Sequence, residues 1–174
     1  CMSALVNRLV RASRIRSSVR AEGWHHSQPR SACHMSFRGV VDESAESRET
    51  NSDIFHRDAF GLPVCEMLLS YPVPGRDNDV LPGYRSFNFV WYRPCDFDKK
   101  LPRLATDASG HCHGVSISPP LITPAVVSEM RAEADAPLSP KMFQIVERAT
   151  QPFFQAIFDH EYSTQGVRPG VRLG

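Results

Sequence analysis

The chain has no apolar run of membrane-spanning length, which excludes a transmembrane helix. It has almost no net charge, +1 over 174 residues, so the molecule as a whole has no electrostatic attraction to nucleic acid. It has no cysteine framework. The five cysteines, Cys1, Cys33, Cys65, Cys95 and Cys112, are odd in number and never at CxxC spacing. That pattern excludes a disulfide scaffold or a zinc ribbon and fits a reducing, cytoplasmic setting. Paired carboxylates and a Ser-His-Asp spacing are also missing, so hydrolase chemistry has no support. There is no internal repeat, no low-complexity tract and no GxGxxG turn for a dinucleotide.

The charge that is present is unevenly placed. Residues 1–40 hold seven arginines and a single acid, Glu22, whereas 41–60 hold six acids against Arg48 and Arg57. The Arg- and Ser-rich stretch 3–23 has the composition of an amphipathic helix or of an organellar presequence. Opening on Cys1 rather than Met, the chain reads as a piece of a larger protein.

Aromatics make up only 9% of the chain, yet five fall within YRSFNFVWYRP, residues 84–94. Read with period two, Phe87, Phe89 and Trp91 share one face, and Ser86, Asn88, Val90 and Tyr92 share the other. The spacing predicts a strand with an apolar face and an amide- and phenol-bearing face. The polar face either meets water or lines a ligand cavity.

Further strands are predicted at 34–42, 62–75, 113–118 and 152–162. A surface helix or helical turn is predicted within the acidic 43–60, and a short helix or irregular segment in 99–111. Thr123-Pro124 and Ser139-Pro140 are helix starts, a capping hydroxyl before a proline in the first turn. Val126, Val127, Met130 and Ala134 recur behind the first at helical spacing. Met142, Phe143, Ile145, Val146 and Ala149 recur behind the second. The expected fold is α+β, a mostly antiparallel sheet with helices on one face. His111-Cys112-His113 reads as loop residues entering a strand, with a metal site the weaker alternative, and no metal is assigned.

SFRGVVDES (36–44), YPVPGRDND (71–79), GYRSFNFVWYRP (83–94), LATDASGHCHGVSISPPLI (104–122) and TQPFFQAIFDHE (150–161) together resemble the middle region of FAD-dependent aromatic hydroxylases of the dihydroxypyridine monooxygenase type. The resemblance covers roughly residues 15–162. It implies an oxidoreductase using FAD and NAD(P)H to hydroxylate an aromatic or N-heteroaromatic ring. It also implies a division into a remnant of the FAD-domain DG segment (1–33), a substrate-binding domain (34–162) and a return towards the FAD domain (163–174). Three cofactor motifs of the family are altered or missing. There is no GxGxxG. The DG region aligns with Arg11-Ala12-Ser13-Arg14, so Ser13 and Arg14 stand where the motif is degenerate. The GD motif is expected beyond Gly170–Gly174. The resemblance therefore implies a substrate-binding portion that binds FAD weakly by itself.

The implied partner is a small aromatic or heteroaromatic substrate, with no nucleic acid and no membrane, and a homodimer is left open. Asn88 and Tyr92 are the candidate ring-binding residues. Arg38, on the polar side of its strand, either holds negative charge on substrate or flavin or pairs with Asp42. His111 and His113 are weaker acid–base candidates. The competing readings are a stand-alone or decayed binding module without flavin, and an imported α+β protein carrying an Arg-rich presequence.

Overall fold

The computed structural model describes residues 30–45 and 56–159. The expectations for residues 1–29, 46–55 and 160–174, the degenerate DG region included, lie outside the described residues. Residues 33–157 form one compact unit. The remaining described residues, at 30–32 and 158–159, are assigned to another unit.

Six strands make one sheet: β1 (Arg30–Asp42), β2 (Ala59–Gly61), β3 (Met67–Val73), β4 (Ser86–Pro94), β5 (Ser116–Ile117) and β6 (Phe153–Asp159). Their order is β2-β3-β4-β1-β6-β5, and the β1–β4, β2–β3, β3–β4 and β5–β6 pairings are antiparallel. Three α-helices accompany them: α1 (Lys100–Leu104), α2 (Pro124–Asp135) and α3 (Pro140–Arg148). No helix among the described residues is long and apolar enough to cross a membrane.

The period-two pattern sets the two faces of the sheet. Phe87, Phe89 and Trp91 of β4 are fully buried, as are Met35 and Leu68 of the neighbouring strands, with Phe37 at 2% exposure. Phe37 contacts Phe154 edge-on, with ring centroids 5.9 Å apart. Helix α3 covers this side. A Cβ on Gly39 of β1 would lie 2.5 Å from the Phe89 ring and 3.0 Å from the Ala149 Cβ. Glycine is required there because the strand passes so close beneath the end of the helix. Ile145 and Val146 of α3, and Val126, Met130 and Ala134 of α2, fill the layer above. Burial of this stripe holds the helices to the sheet.

Helix α2 starts as its sequence predicts: the Thr123 hydroxyl accepts from the Val126 N–H at 3.4 Å. Ser139 makes no such bond, so α3 starts on its proline alone. The sequence-based strand 62–75 is shorter than expected. Only Met67–Val73 pairs, and the positive φ of Cys65 (60°) breaks the run before it. Pro72 lies inside β3 rather than closing it. The segment 43–60 departs further from expectation. Its described parts are a 3₁₀ turn at Glu43–Ala45 and the edge strand β2, with no α-helix. In 113–118 only Ser116 and Ile117 pair.

Candidate functional site

The face of the sheet away from α2 and α3 carries all three sequence-predicted site residues. In the β1–β4 register Ser36 faces Tyr92, Arg38 faces Val90 and Val40 faces Asn88. Arg38 therefore lies between Asn88 and Tyr92 on the same face. Such diagonal neighbours are about 7–8 Å apart at their backbones, within reach of long side chains. In β3, Tyr71 faces Asn88, Leu69 faces Val90 and Met67 faces Tyr92. The register thus places an amide, two phenols and a guanidinium on one face with Val90, Leu69 and Met67. Val90 is buried, whereas Asn88, Tyr92, Arg38 and Tyr71 are half-buried. Flat polar ligands are recognised by such a combination of apolar surface and a few fixed polar groups.

The electrostatics of Arg38 differ from those of the paired arginines. Arg85 pairs with Glu43, Arg93 with Glu66 and Glu133, and Arg103 with Glu129. Arg38 has no carboxylate within ion-pair distance among the described residues, and its Nε reaches only the Ser36 hydroxyl, at 3.5 Å. Asp42, the partner that the sequence made plausible for it, accepts instead from the Ser86 hydroxyl at 3.1 Å and lies 4.0 Å from Arg76. A half-buried guanidinium with no carboxylate beside it among the described residues is suited to an anion.

Two structural networks hold these strands in place, neither of them legible as pairs in the sequence. Glu43, grouped by sequence with a solvated acidic run, is only 3% exposed. Its carboxylate takes the Arg85 Nε at 3.0 Å, the Arg85 Nη2 at 2.7 Å and the Gly83 N–H at 2.8 Å. The positive φ of Gly83 (92°) turns that N–H inward. The Arg85 fork holds the Glu43 carboxyl below its ordinary range, and the same bond raises Arg85. On the helix side, Glu66 accepts from the Trp91 indole at 2.9 Å and from the Arg93 Nε at 3.0 Å. Arg93 lies 4.2 Å over the Trp91 ring and reaches on to Glu133 of α2.

The histidine candidates belong to a turn. Asp107 accepts from the Ser109 N–H and hydroxyl and from the His111 N–H, and its other oxygen is 2.7 Å from the His113 Nε2. The Ser109 hydroxyl, then the His113 imidazole, hold the Asp107 carboxyl far below the usual carboxylate range. His111 stacks edge-on against His113 at 4.7 Å. His113 joins the turn through its imidazole, His111 through its backbone N–H. A cleft of about 410 Å³ lined by Asp42, Ser44, Arg76, Asp77, Asp79, Gly83, Tyr84 and Arg85 opens at the Glu43 end of the sheet, where charges of both signs alternate.

The six-stranded, mainly antiparallel sheet with its few helices resembles domains of flavin hydroxylases. Residues 31–159 match the profile described as FAD binding domain-like, and the chain belongs to that family. It is 24% identical over 132 residues to the 2,6-dihydroxypyridine 3-monooxygenase of Paenarthrobacter nicotinovorans, covering 76% of this chain and 32% of the relative. Its fold is similar to that of 2,6-dihydroxypyridine-3-hydroxylase from Arthrobacter nicotinovorans, with TM-score 0.72 and 24% identity over 82% of this chain and 35% of that one. A putative FAD-containing monooxygenase from Photorhabdus luminescens aligns with TM-score 0.58 and 9% identity over 89% of this chain and 39% of its own. A salicylate hydroxylase in complex with substrate aligns with TM-score 0.52 and 16% identity over 84% and 33%. The chain thus spans about a third of the length of these relatives.

Proposed function

We propose that the chain is the substrate-binding portion of an FAD-dependent, NAD(P)H-using monooxygenase that hydroxylates an aromatic or N-heteroaromatic ring such as a dihydroxypyridine. The observation that carries this is Arg38: a half-buried guanidinium without an acid partner among the described residues, set between Asn88 and Tyr92 on the face away from α2 and α3. Family membership and the dihydroxypyridine relative support it.

The described residues do not themselves fit a dinucleotide. They hold no glycine-rich turn leading from a strand into a helix, the element that brings backbone N–H groups to a pyrophosphate. In this reading FAD, when held by other parts of a complete enzyme, supplies the oxygen activation. The task of this chain's residues is binding and orientation. Val90, Leu69 and Met67 bear one face of the ring. Asn88 donates to or accepts from a ring carbonyl or hydroxyl. Tyr92 and Tyr71 meet the ring edge. Arg38 favours the ionised over the neutral hydroxyl, making the ring richer in electrons, and the closely packed sheet keeps water from beneath it.

The test titrates the isotopically labelled chain with 2,6-dihydroxypyridine, named for its relative, and follows backbone and side-chain NMR signals. Saturable shifts at Arg38, Asn88 and Tyr92, weakened about tenfold by Arg38→Gln, are expected for loss of one charge-assisted bond. Saturable binding that Arg38→Gln leaves unchanged, or that maps to the helix side, overturns the reading.

A further inference from the structure

The β1–β4 register runs His34 opposite Pro94 and Met35 opposite Arg93, so the next pair outward is Cys33 opposite Cys95. The Cys95 N–H donates to the Cys33 carbonyl at 2.9 Å, a single backbone bond just beyond the last pair of the ladder. Residues directly opposite in a hydrogen-bonded antiparallel pair have Cα atoms about 5.5 Å apart. Disulfides span Cα separations of about 4.4–6.8 Å. The two cysteines are unlike in every other respect. Cys33 is exposed, whereas Cys95 is buried, at 5% exposure. Cys33 has φ of 53°, so the strand leaves its regular pleat there, and its sulfur is near enough to act electrostatically on the Cys95 thiol.

We infer that Cys33 and Cys95 are an intramolecular dithiol site that closes to a disulfide when hydrogen peroxide reaches the exposed Cys33. In the first step the Cys33 thiolate attacks one peroxide oxygen. An S–O bond forms, the O–O bond breaks, and the departing hydroxide takes up a proton to leave as water. In the second step the Cys95 sulfur attacks the Cys33 sulfur. The S–S bond forms, the S–O bond breaks, and a second water leaves with the Cys95 proton. Two thiols are oxidised by two electrons and one peroxide is reduced to two waters.

The order of attack follows from position. Burial pushes the Cys95 thiol up, against the lowering effect of Lys100, so Cys95 is protected until its neighbour is activated. The closed bond ties together the two central strands of the sheet, which carry Arg38, Asn88 and Tyr92. It closes the loop 34–94, so its main effect is on the freedom of the unfolded chain. The inference stands on register and burial and does not depend on the ring-hydroxylase reading.

The test treats the full chain with hydrogen peroxide, blocks remaining thiols with iodoacetamide and maps the peptides without reduction. The expected result is a linked Cys33–Cys95 peptide pair, with Cys65 and Cys112 alkylated, a thermal midpoint above that of the reduced chain, and full reversal by dithiothreitol. Cys33→Ser and, where serine at the buried site impairs folding, Cys95→Ala both abolish the link. The double variant Cys65→Ser/Cys112→Ser retains it. Over-oxidation of Cys33 with Cys95 still alkylatable, or links made chiefly through Cys1, Cys65, Cys112 or a second chain, overturns the inference.

Discussion

Glu43 and Arg85 stand 42 positions apart in sequence and meet in a two-point fork, Nη2 to Oε1 at 2.7 Å and Nε to Oε2 at 3.0 Å. The pair closes the end of the β1–β4 ladder, where the Glu43 N–H also donates to the Arg85 carbonyl at 2.8 Å. The carboxylate is 3% and the guanidinium 14% exposed, so water screens the pair little. It anchors the end of the two strands on which Arg38, Asn88 and Tyr92 lie.

Glu43→Gln is expected to destabilise the chain by about 2 kcal/mol. Removing one partner strands the other's charge, although Arg85 retains some contact with water. Urea unfolding at neutral pH measures it. The pH dependence has a definite sign. The folded carboxyl is held below its ordinary value of 4.5, so the pair's contribution is complete above that value and is lost as pH falls through the lower, folded one. The acid limb of the stability curve should therefore be shallower in Glu43→Gln than in the wild type. Identical limbs would show that the pair contributes nothing to acid sensitivity.

Trp91→Ala is expected to cost about 3–5 kcal/mol, as truncation of a fully buried aromatic does. Trp91 is 0% exposed and donates to Glu66, so two losses combine. Trp91→Phe separates them. It retains most of the packing and should cost about 1–3 kcal/mol, chiefly for the acceptor left without its indole donor. Thermal and urea unfolding of the two variants decide. Equal costs would assign the whole effect to the hydrogen bond.

Asn88→Ala should behave differently, because Asn88 is half-buried on the face away from α2 and α3. Its stability should remain within about 0.5 kcal/mol of the wild type, as for surface substitutions away from a packed core. In an enzyme that includes a flavin-binding domain, the same change should raise the NAD(P)H consumed per ring hydroxylated. A ring held loosely misses the reacting oxygen more often. A variant that unfolds while keeping its coupling ratio would make Asn88 a core residue.

The purified chain is expected to emerge from gel filtration without flavin absorbance after incubation with FAD. The motivation is the absence of GxGxxG from this sequence and the expectation, from the family resemblance, that Ser13 and Arg14 stand in a degenerate DG region. A yellow protein with a retained flavin band would show that binding does not need those motifs.

The alternation in SFNFVWY determined by itself that Phe87, Phe89 and Trp91 share one fully buried side of β4, because side chains in a strand point alternately to its two faces; that Ser86 and Val90 of the other side are buried as well was not legible in it. Thr123-Pro124 marked the start of α2 for an equally local reason: a hydroxyl cap and a preset φ act within a single turn. The family resemblance was likewise legible, since blocks in a fixed order survive without knowledge of the contacts between them. Partner choice was not. Nothing near Glu43 in the chain distinguishes it from the acids that follow, and only the sheet register brings Arg85 and Gly83 to it. Nor does sequence separate Arg38 from Asp42: four residues apart on one strand face, they are plausible partners until Ser86 and Arg76 are found beside Asp42. The same limit explains β2 and the shortened β3. A three-residue edge strand has too few positions to display a period, and its pairing is decided by the neighbour it meets. Local chemistry specified the faces and the caps. The long-range pairings, with the ion pairs and the Cys33–Cys95 apposition that follow from them, were decided only when the chain closed on itself.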